Sequence, residues 1–187
     1  MNIVMFGGPG SGKGTQSEKL INKYGLHHIS TGEVLRNHIK NETDLGKIAK
    51  SYIDEGQLIP DDLMISILDD VLEKEAKDKP GVIFDGFPRT IPQAEALKKL
   101  LEKRGKELHA VVGLEVPEEE LVARLINRGK ETGRADDNEG TIKKRLKVYH
   151  EQTTPLKEYY QKENKYKAIN GLGAMEDIFA AIVESLE

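Results

Sequence analysis

The stretch Asn2-Ile3-Val4-Met5-Phe6-Gly7-Gly8-Pro9-Gly10-Ser11-Gly12-Lys13-Gly14-Thr15 decides the fold. Asn2 to Phe6 is a short apolar run closed by glycine, which reads as a buried parallel strand because it is too short for a helix. Five of the eight residues from Gly7 to Gly14 are glycine, where a background near 7% gives roughly half of one. Successive backbone amides can curl around an anion only where side chains are absent, and the N-terminus of a following helix adds partial positive charge. A lysine at the end of such a loop, here Lys13, reaches the outer phosphates of a nucleotide. Thr15 to Tyr24 carries Leu20 and Ile21 among polar residues and stops at Gly25, a residue suited to a helix C-terminus. Strand, glycine loop and helix together make a phosphate-binding unit. No three of the glycines fall at G-x-G-x-x-G intervals, which argues against a hydride-transfer dinucleotide fold.

The alternation continues along the chain. Gly81 to Phe84 and Ala110 to Val116 are further apolar runs, followed by amphipathic segments Gln93 to Lys103 and Glu118 to Asn127. Tyr166 to Ile169 reads as a last strand, and about Ala174 to Leu186 as a final helix. Strands separated by helices imply right-handed crossovers and a parallel sheet of about five strands flanked by helices, an α/β fold of the P-loop NTPase type. One core domain spans residues 1–187. Two segments fall outside the alternation: a mostly helical insert at about residues 30–59, and a polar, glycine-rich short lid at about residues 128–138. Both read as mobile covers over the site.

Composition bounds the rest. With 187 residues, 37% hydrophobic and 32% charged, the chain has the makings of a packed enzyme. A net charge of -4 argues against a nucleic-acid or membrane partner held by bulk electrostatics. There are no cysteines, so neither a disulfide framework nor a thiolate zinc site is expected. No run approaches the ~18 apolar residues of a membrane span, and the expectation is a soluble, cytoplasmic monomer. His27 and His28 read as packing or surface residues beside a second strand.

The run Asp85-Gly86-Phe87-Pro88-Arg89-Thr90-Ile91-Pro92-Gln93 puts a carboxylate at the end of a buried strand, an arginine four residues on and an amide four beyond that. Such an aspartate can face a nucleotide crevice and hold a hydrated magnesium ion. Ser30 or Thr31 starts a helix, since Glu33 follows at capping-box spacing. Only seven of the 28 basic residues are arginine; lysine serves general solvation, and arginine's planar fork is left for bidentate phosphate recognition.

These motifs resemble those of the adenylate kinases, a family of nucleoside monophosphate kinases, in order and spacing over essentially the whole chain. The loop is similar to the family's G-x-P-G-x-G-K-G-T, Ser30 to Arg36 to its S-T-G-[DE]-x-[LIM]-R segment, and Asp85 to Gln93 to its D-G-[FY]-P-R-x-x-x-[NQ] signature. The resemblance implies transfer of the terminal phosphoryl of ATP to AMP, with ADP as product, and makes residues 30–59 the NMP-binding insert. It implies ATP contacts from Gly10, Ser11, Gly12, Lys13, Gly14, Thr15, Arg128 and Gly173. It implies AMP contacts from Thr31, Arg36, Gln57, Leu58, Ile59, Gly86, Phe87, Pro88, Arg89, Gln93, Arg134 and Arg145, and catalytic roles for Lys13, Arg89, Arg124, Arg128, Arg134 and Arg145. Asp85 holds Mg2+ through water in this reading; Gly14 stands where many phosphate loops carry a hydroxyl, and Thr15 brings it one residue late. Asp136 and Asp137 read as solvated residues or arginine partners. Only five residues separate Arg128 from Arg134, as in the family's short-lid form without zinc. The rival of the same fold is a UMP/CMP kinase, against which Thr31 and Gln93 speak. A non-catalytic P-loop nucleotide-binding protein is the rival of another class, and a GTPase-type switch lacks its N-K-x-D segment.

Overall fold

The computed structural model describes residues 1–134 and 137–187. Five parallel strands, β1 (Asn2–Gly7), β2 (His27–Ser30), β3 (Val82–Asp85), β4 (Ala110–Glu115) and β5 (Tyr166–Asn170), lie in the order β2-β3-β1-β4-β5. From β1 the chain passes first to the β3/β2 side and later to the β4/β5 side. The order therefore reverses at the carboxyl end of β1, where an open α/β sheet leaves a crevice. The glycine loop leaves β1 at that point.

Both faces of the sheet are covered, which explains the continuous apolar strands. Ile3 and Met5 of β1 turn to one face, packing with Leu20 of α1 (Lys13–Tyr24) and with Ile178 and Ile182 of the C-terminal helix. Val4 and Phe6 turn to the other, against Leu68, Leu72, Leu97 and Leu156. The helices on that side are α2 (Thr31–Lys40), α3 (Asp44–Asp54), α4 (Asp61–Glu75), α5 (Ile91–Lys103) and, after α6 (Glu118–Thr132) and α7 (Glu139–Val148), α8 (Pro155–Lys162). A π-helical turn at Tyr149–Thr153 joins α7 to α8, and α9 (Met175–Leu186) closes the chain.

Helices α2 and α3 form the insert expected at residues 30–59. Ser30 Oγ accepts from the Glu33 amide at 3.3 Å, so Ser30 is the cap that the sequence left open between two residues. Thr43 caps α3 by accepting from the Gly46 amide at 3.0 Å. The two backbones approach so closely that a Cβ on Gly46 would stand 2.1 Å from the His38 carbonyl oxygen. The insert leans on α7, where Thr141 Oγ1 donates to the Asp54 carbonyl at 3.1 Å.

Several boundaries differ from the sequence expectation. α1 starts at Lys13 rather than Thr15, because Gly12, at φ 96°, already turns the chain into the helix. α6 runs past Asn127 to Thr132; Gly129 does not break it but admits the Asp137 carbonyl, which would stand 2.7 Å from a Cβ there. Of the short lid at about residues 128–138, Ala135 and Asp136 lie outside the described residues. Among the described residues no helix is long and apolar enough to cross a membrane.

Candidate functional site

The loop from Gly7 to Gly14 wraps the carboxyl end of β1 and delivers the chain into α1. Gly10 and Gly12 both hold positive φ, 81° and 96°, a conformation that L side chains strain to adopt. Gly10 also abuts Leu125 of α6, 2.9 Å from where a Cβ would sit. The Ser11 hydroxyl is buried without a hydrogen-bond partner among the described residues. Lys13 Nζ bends back to donate to the Gly7 and Gly8 carbonyls at 3.0 and 3.2 Å. Burial pushes its ammonium down to about 8; Asp85 opposes that, and the charges of Arg89, Arg145 and Arg128 add to it. An anion bound beside it would push that value back up.

Asp85 ends β3, in register with Ser30 of β2 and Met5 of β1. Its side chain is 16% exposed and its Oδ2 stands 3.9 Å from His28 Nε2, an ion-pair distance rather than a hydrogen bond. Burial works against the carboxylate's charge, but His28, Lys13 and Arg89 outweigh it and hold the group below the usual carboxylate range. The same pairing with Asp85 raises His28, against the opposing effect of its burial. No cluster of three metal-ligating side chains exists among the described residues. A single ionised carboxylate suits a magnesium ion that keeps its waters and leans on substrate phosphates, so the residues present fit the metal.

A cavity opens beside Lys13, between the insert and the Gly86–Gln93 segment. Thr31, Arg36, Gln57, Leu58, Ile59, Gly86, Pro88, Arg89, Gln93 and Arg145 line it together with Lys13, so most residues assigned to AMP share one space. Arg36 lies over Gly32, its Nη1 3.0 Å from where a Cβ would stand. Gly86, at φ 88°, is crowded in the same way by Thr31 Oγ1 at 2.7 Å and Arg89 Nη2 at 3.3 Å. The Phe87-Pro88 peptide is cis, and the Phe87 side chain is buried in the core, so its neighbours rather than its ring face the cavity. Gln93 is 2% exposed, and both ends of its amide are fixed: Oε1 accepts from the Arg89 amide at 2.7 Å, and Nε2 donates to Asp61 Oδ1 at 2.9 Å.

Three arginines of the α6–α7 region gather around one carboxylate. Asp137, with no side-chain exposure, accepts from Arg128 Nε at 2.6 Å and Nη2 at 2.7 Å, and from Arg145 Nη1 at 3.0 Å. Burial opposes its charge, but Arg128, Arg145 and Arg134 hold its carboxyl below the usual range. The reading of Asp137 as an arginine partner therefore holds; Asp136 lies outside the described residues. Arg124 does not line the cavity: its guanidinium donates to the Ser11 carbonyl at 3.4 Å and the Gly171 carbonyl at 3.1 Å, and pairs with Glu120 at 3.0 Å. Gly10, Ser11, Gly12, Gly14, Thr15, Asp85, Arg128, Arg134 and Gly173 also stand outside the cavity lining. The half assigned to AMP is thus a formed hollow, whereas the loop and Gly173 present a more open face. Gly173 has φ 102° and nothing within 4 Å of a Cβ position.

Sequence reasoning missed Asp61, which also accepts from Thr90 Oγ1 at 2.9 Å and so orients two residues of the signature segment. No local signal marks it, since its partners lie about thirty positions away.

The family model described as "Adenylate kinase" matches residues 5–165. The adenylate kinase of Bacteroides fragilis is 65% identical over 187 residues, covering 100% of this chain and 98% of its own length. That of Bacteroides thetaiotaomicron shows the same identity and coverage. That of Porphyromonas gingivalis is 51% identical over 178 residues, 95% of this chain and 91% of its own.

Proposed function

The chain belongs to the adenylate kinase family, and from that premise we propose that it reversibly transfers the terminal phosphoryl group of Mg-ATP to AMP, giving two ADP. The observation that supports this reading is a cavity lined together by the cations Lys13, Arg36, Arg89 and Arg145 and by Thr31, Gln57, Leu58, Ile59 and Gln93. A space that combines several cations with a mixed apolar and amide lining suits a nucleoside monophosphate.

The AMP phosphate carries about -1.5 to -2 charges at pH 7, so its oxygen needs no general base. It attacks the γ-phosphorus of ATP; a new P–O bond forms as the bond from the γ-phosphorus to the β,γ-bridging oxygen breaks, and the electron pair leaves with the β-phosphate of the departing ADP. Catalysis is then positioning and charge neutralisation. Gly10 to Thr15 cradle the triphosphate through their amides, Lys13 meets its outer phosphates, and Arg128 faces ATP. Arg36 and Arg89 hold the AMP phosphate, and Arg134 and Arg145 lie across the transferring group. Arg124 serves the phosphate loop by bracing the Ser11 carbonyl. Magnesium bound with ATP supplies further neutralisation of the phosphate oxygens, with Asp85 as the residue that would hold its waters. Closure of the insert at about residues 30–59 and the lid at about residues 128–138 excludes water, which would otherwise hydrolyse ATP. On this reading the protein also acts as a cytoplasmic monomer on small nucleotides, with no nucleic-acid, membrane or zinc partner.

Thr31 and Gln93 favour AMP over UMP or CMP. The deciding assay is ADP formation from Mg-ATP with AMP, UMP, CMP and GMP offered separately, and EDTA as metal control. Fast, magnesium-dependent turnover with AMP alone is expected; preference for a pyrimidine acceptor, or transfer to none, overturns the proposal.

A further inference from the structure

Helix α1 buries an unusual residue in its first turn. Gln16 is 3% exposed and shares the buried face of the helix with Ser17 and Leu20, where an aliphatic side chain would pack at lower desolvation cost. Its carboxamide reaches out of the helix: Nε2 donates to the Met175 carbonyl at 3.1 Å, across 159 residues of chain. The amide oxygen at the other end, Oε1, is buried with no hydrogen-bond partner among the described residues. A buried acceptor left in that state is destabilising, so the placement calls for a compensating role.

Met175 opens α9 directly after Gly171-Leu172-Gly173-Ala174. The near end of this loop is tied to the sheet and α6: the Gly171 amide donates to the Glu115 carbonyl at 2.9 Å, and Arg124 Nη2 to the Gly171 carbonyl at 3.1 Å. The far end is held to α1 by Gln16. Between the two ties, Gly173 stands with open space beside it. Gln16 is also only three residues beyond Lys13, on the helix whose N-terminus the phosphate loop feeds.

We propose that Gln16 is a positioning residue for the ATP base: its carboxamide fixes the separation between the loop that holds the triphosphate and the loop at Gly173. The proposal rests on the ATP contact that the family resemblance implies for Gly173, taken here as a contact with the base. Base recognition through a loop backbone has no side chain to adjust, so the register between the two loops sets whether the base and the phosphates are both satisfied. Gln16 sets that register from the phosphate side.

The test compares Mg-ATP with Mg-tripolyphosphate, which has the phosphates and no base, on wild type, Gln16→Met and Gln16→Glu. Methionine keeps the volume without the donor; glutamate keeps the shape and replaces the donor by an acceptor, so that the inference survives a folding defect in either one. In both variants Kd for Mg-ATP is expected to rise by about tenfold, the scale of one orphaned carbonyl. Tripolyphosphate binding and KM for AMP are expected to stay within about twofold of wild type, a change worth well under one hydrogen bond. Parallel loss of ATP and tripolyphosphate affinity, or no loss of either, overturns the proposal. The underlying reading is checked separately on wild type: the Leu172 and Gly173 amide resonances should shift with Mg-ATP and not with Mg-tripolyphosphate, and identical shifts with both would remove the Gly173 loop from the base site whatever the variants do.

Discussion

Asp137 holds Arg128 in a two-pronged bridge, Oδ2 to Nε at 2.6 Å and Oδ1 to Nη2 at 2.7 Å, and the bridge is shut off from solvent on the carboxylate side. Because Oδ1 also accepts from Arg145 at 3.0 Å, one carboxylate sets the spacing of two cations assigned to opposite substrates. Replacing it by an amide removes the charge and turns one acceptor into a donor facing arginine N–H groups. Asp137→Asn is therefore expected to lower kcat/KM by about 10- to 100-fold, the scale of a broken buried charge pair, measured by coupled ADP formation. The same variant tests a pH effect. A carboxyl held below its usual range stabilises the fold above the unfolded pKa of about 4, and that contribution fades as the pH falls through the lowered value. Wild type and variant should thus differ in denaturant midpoint at pH 7 and converge in acid; a constant difference would contradict the coupling.

Lys13 makes a prediction of the same sign at the alkaline end. Its ammonium sits at about 8 rather than 10.5, so between those values the folded protein binds fewer protons than the unfolded chain. Stability from this group consequently rises with pH across that window. Bound phosphate restores the charge, and Mg-ATP binding at pH 9 is expected to take up roughly one proton. Calorimetry in two buffers of different protonation enthalpy reads this directly. Heats that do not depend on the buffer, or an uptake that persists in Lys13→Met, would assign the proton elsewhere.

Asp61 orients the Gln93 amide and the Thr90 hydroxyl from a distance. In Asp61→Ala the Gln93 amide loses one of its two anchors, keeping only the Arg89 amide on Oε1, while its own atoms stay in the cavity wall. KM for AMP should rise by about tenfold, the scale of one buried hydrogen-bond group, with KM for ATP unchanged. Equal changes in both constants would point to general loosening of α4 instead.

Arg89 presents its guanidinium beside Gly86, where a Cβ would stand 3.3 Å from Nη2. Lysine keeps the charge but not the planar fork, and Arg89→Lys is expected to lose about 10²- to 10³-fold in kcat with an unchanged circular dichroism spectrum. Near-native turnover would remove Arg89 from the transfer step.

What the sequence made legible follows the range of each signal. The glycine loop, Lys13 and the Asp85–Gln93 run are local patterns in which neighbours along the chain are also neighbours in space. The strands β1, β3 and β4 were equally readable, because burial on both faces leaves an unbroken apolar run. Helix α4 and the α7–α8 region, with its π-helical turn, carried no such label, and neither drew an assignment. Gly129 shows why the α6 boundary is hard to read: glycine ends many helices, but here it stays inside α6 to let the Asp137 backbone approach. Asp61 and Gln16 were invisible because their meaning is long-range. An aspartate after a proline reads as a helix start, and a glutamine in a first turn reads as a surface residue, until the partner far along the chain is seen.

The contact between Gly46 and the His38 carbonyl has a mechanical meaning. Two helices whose backbones touch with no side chain between them have nothing to slide on, and a bend between them would meet backbone at once. In the proposed closure the α2–α3 hairpin is expected to swing as a stiff paddle about its joints to the body, the Ser30 cap and Gly56 with its φ of 73°, where it also packs against α7. The resistance to its swing therefore resides in a few joint residues and does not grow with the length of the blade. A substitution in the middle of the paddle should alter how firmly it is built, whereas one at either joint should alter how fast it moves.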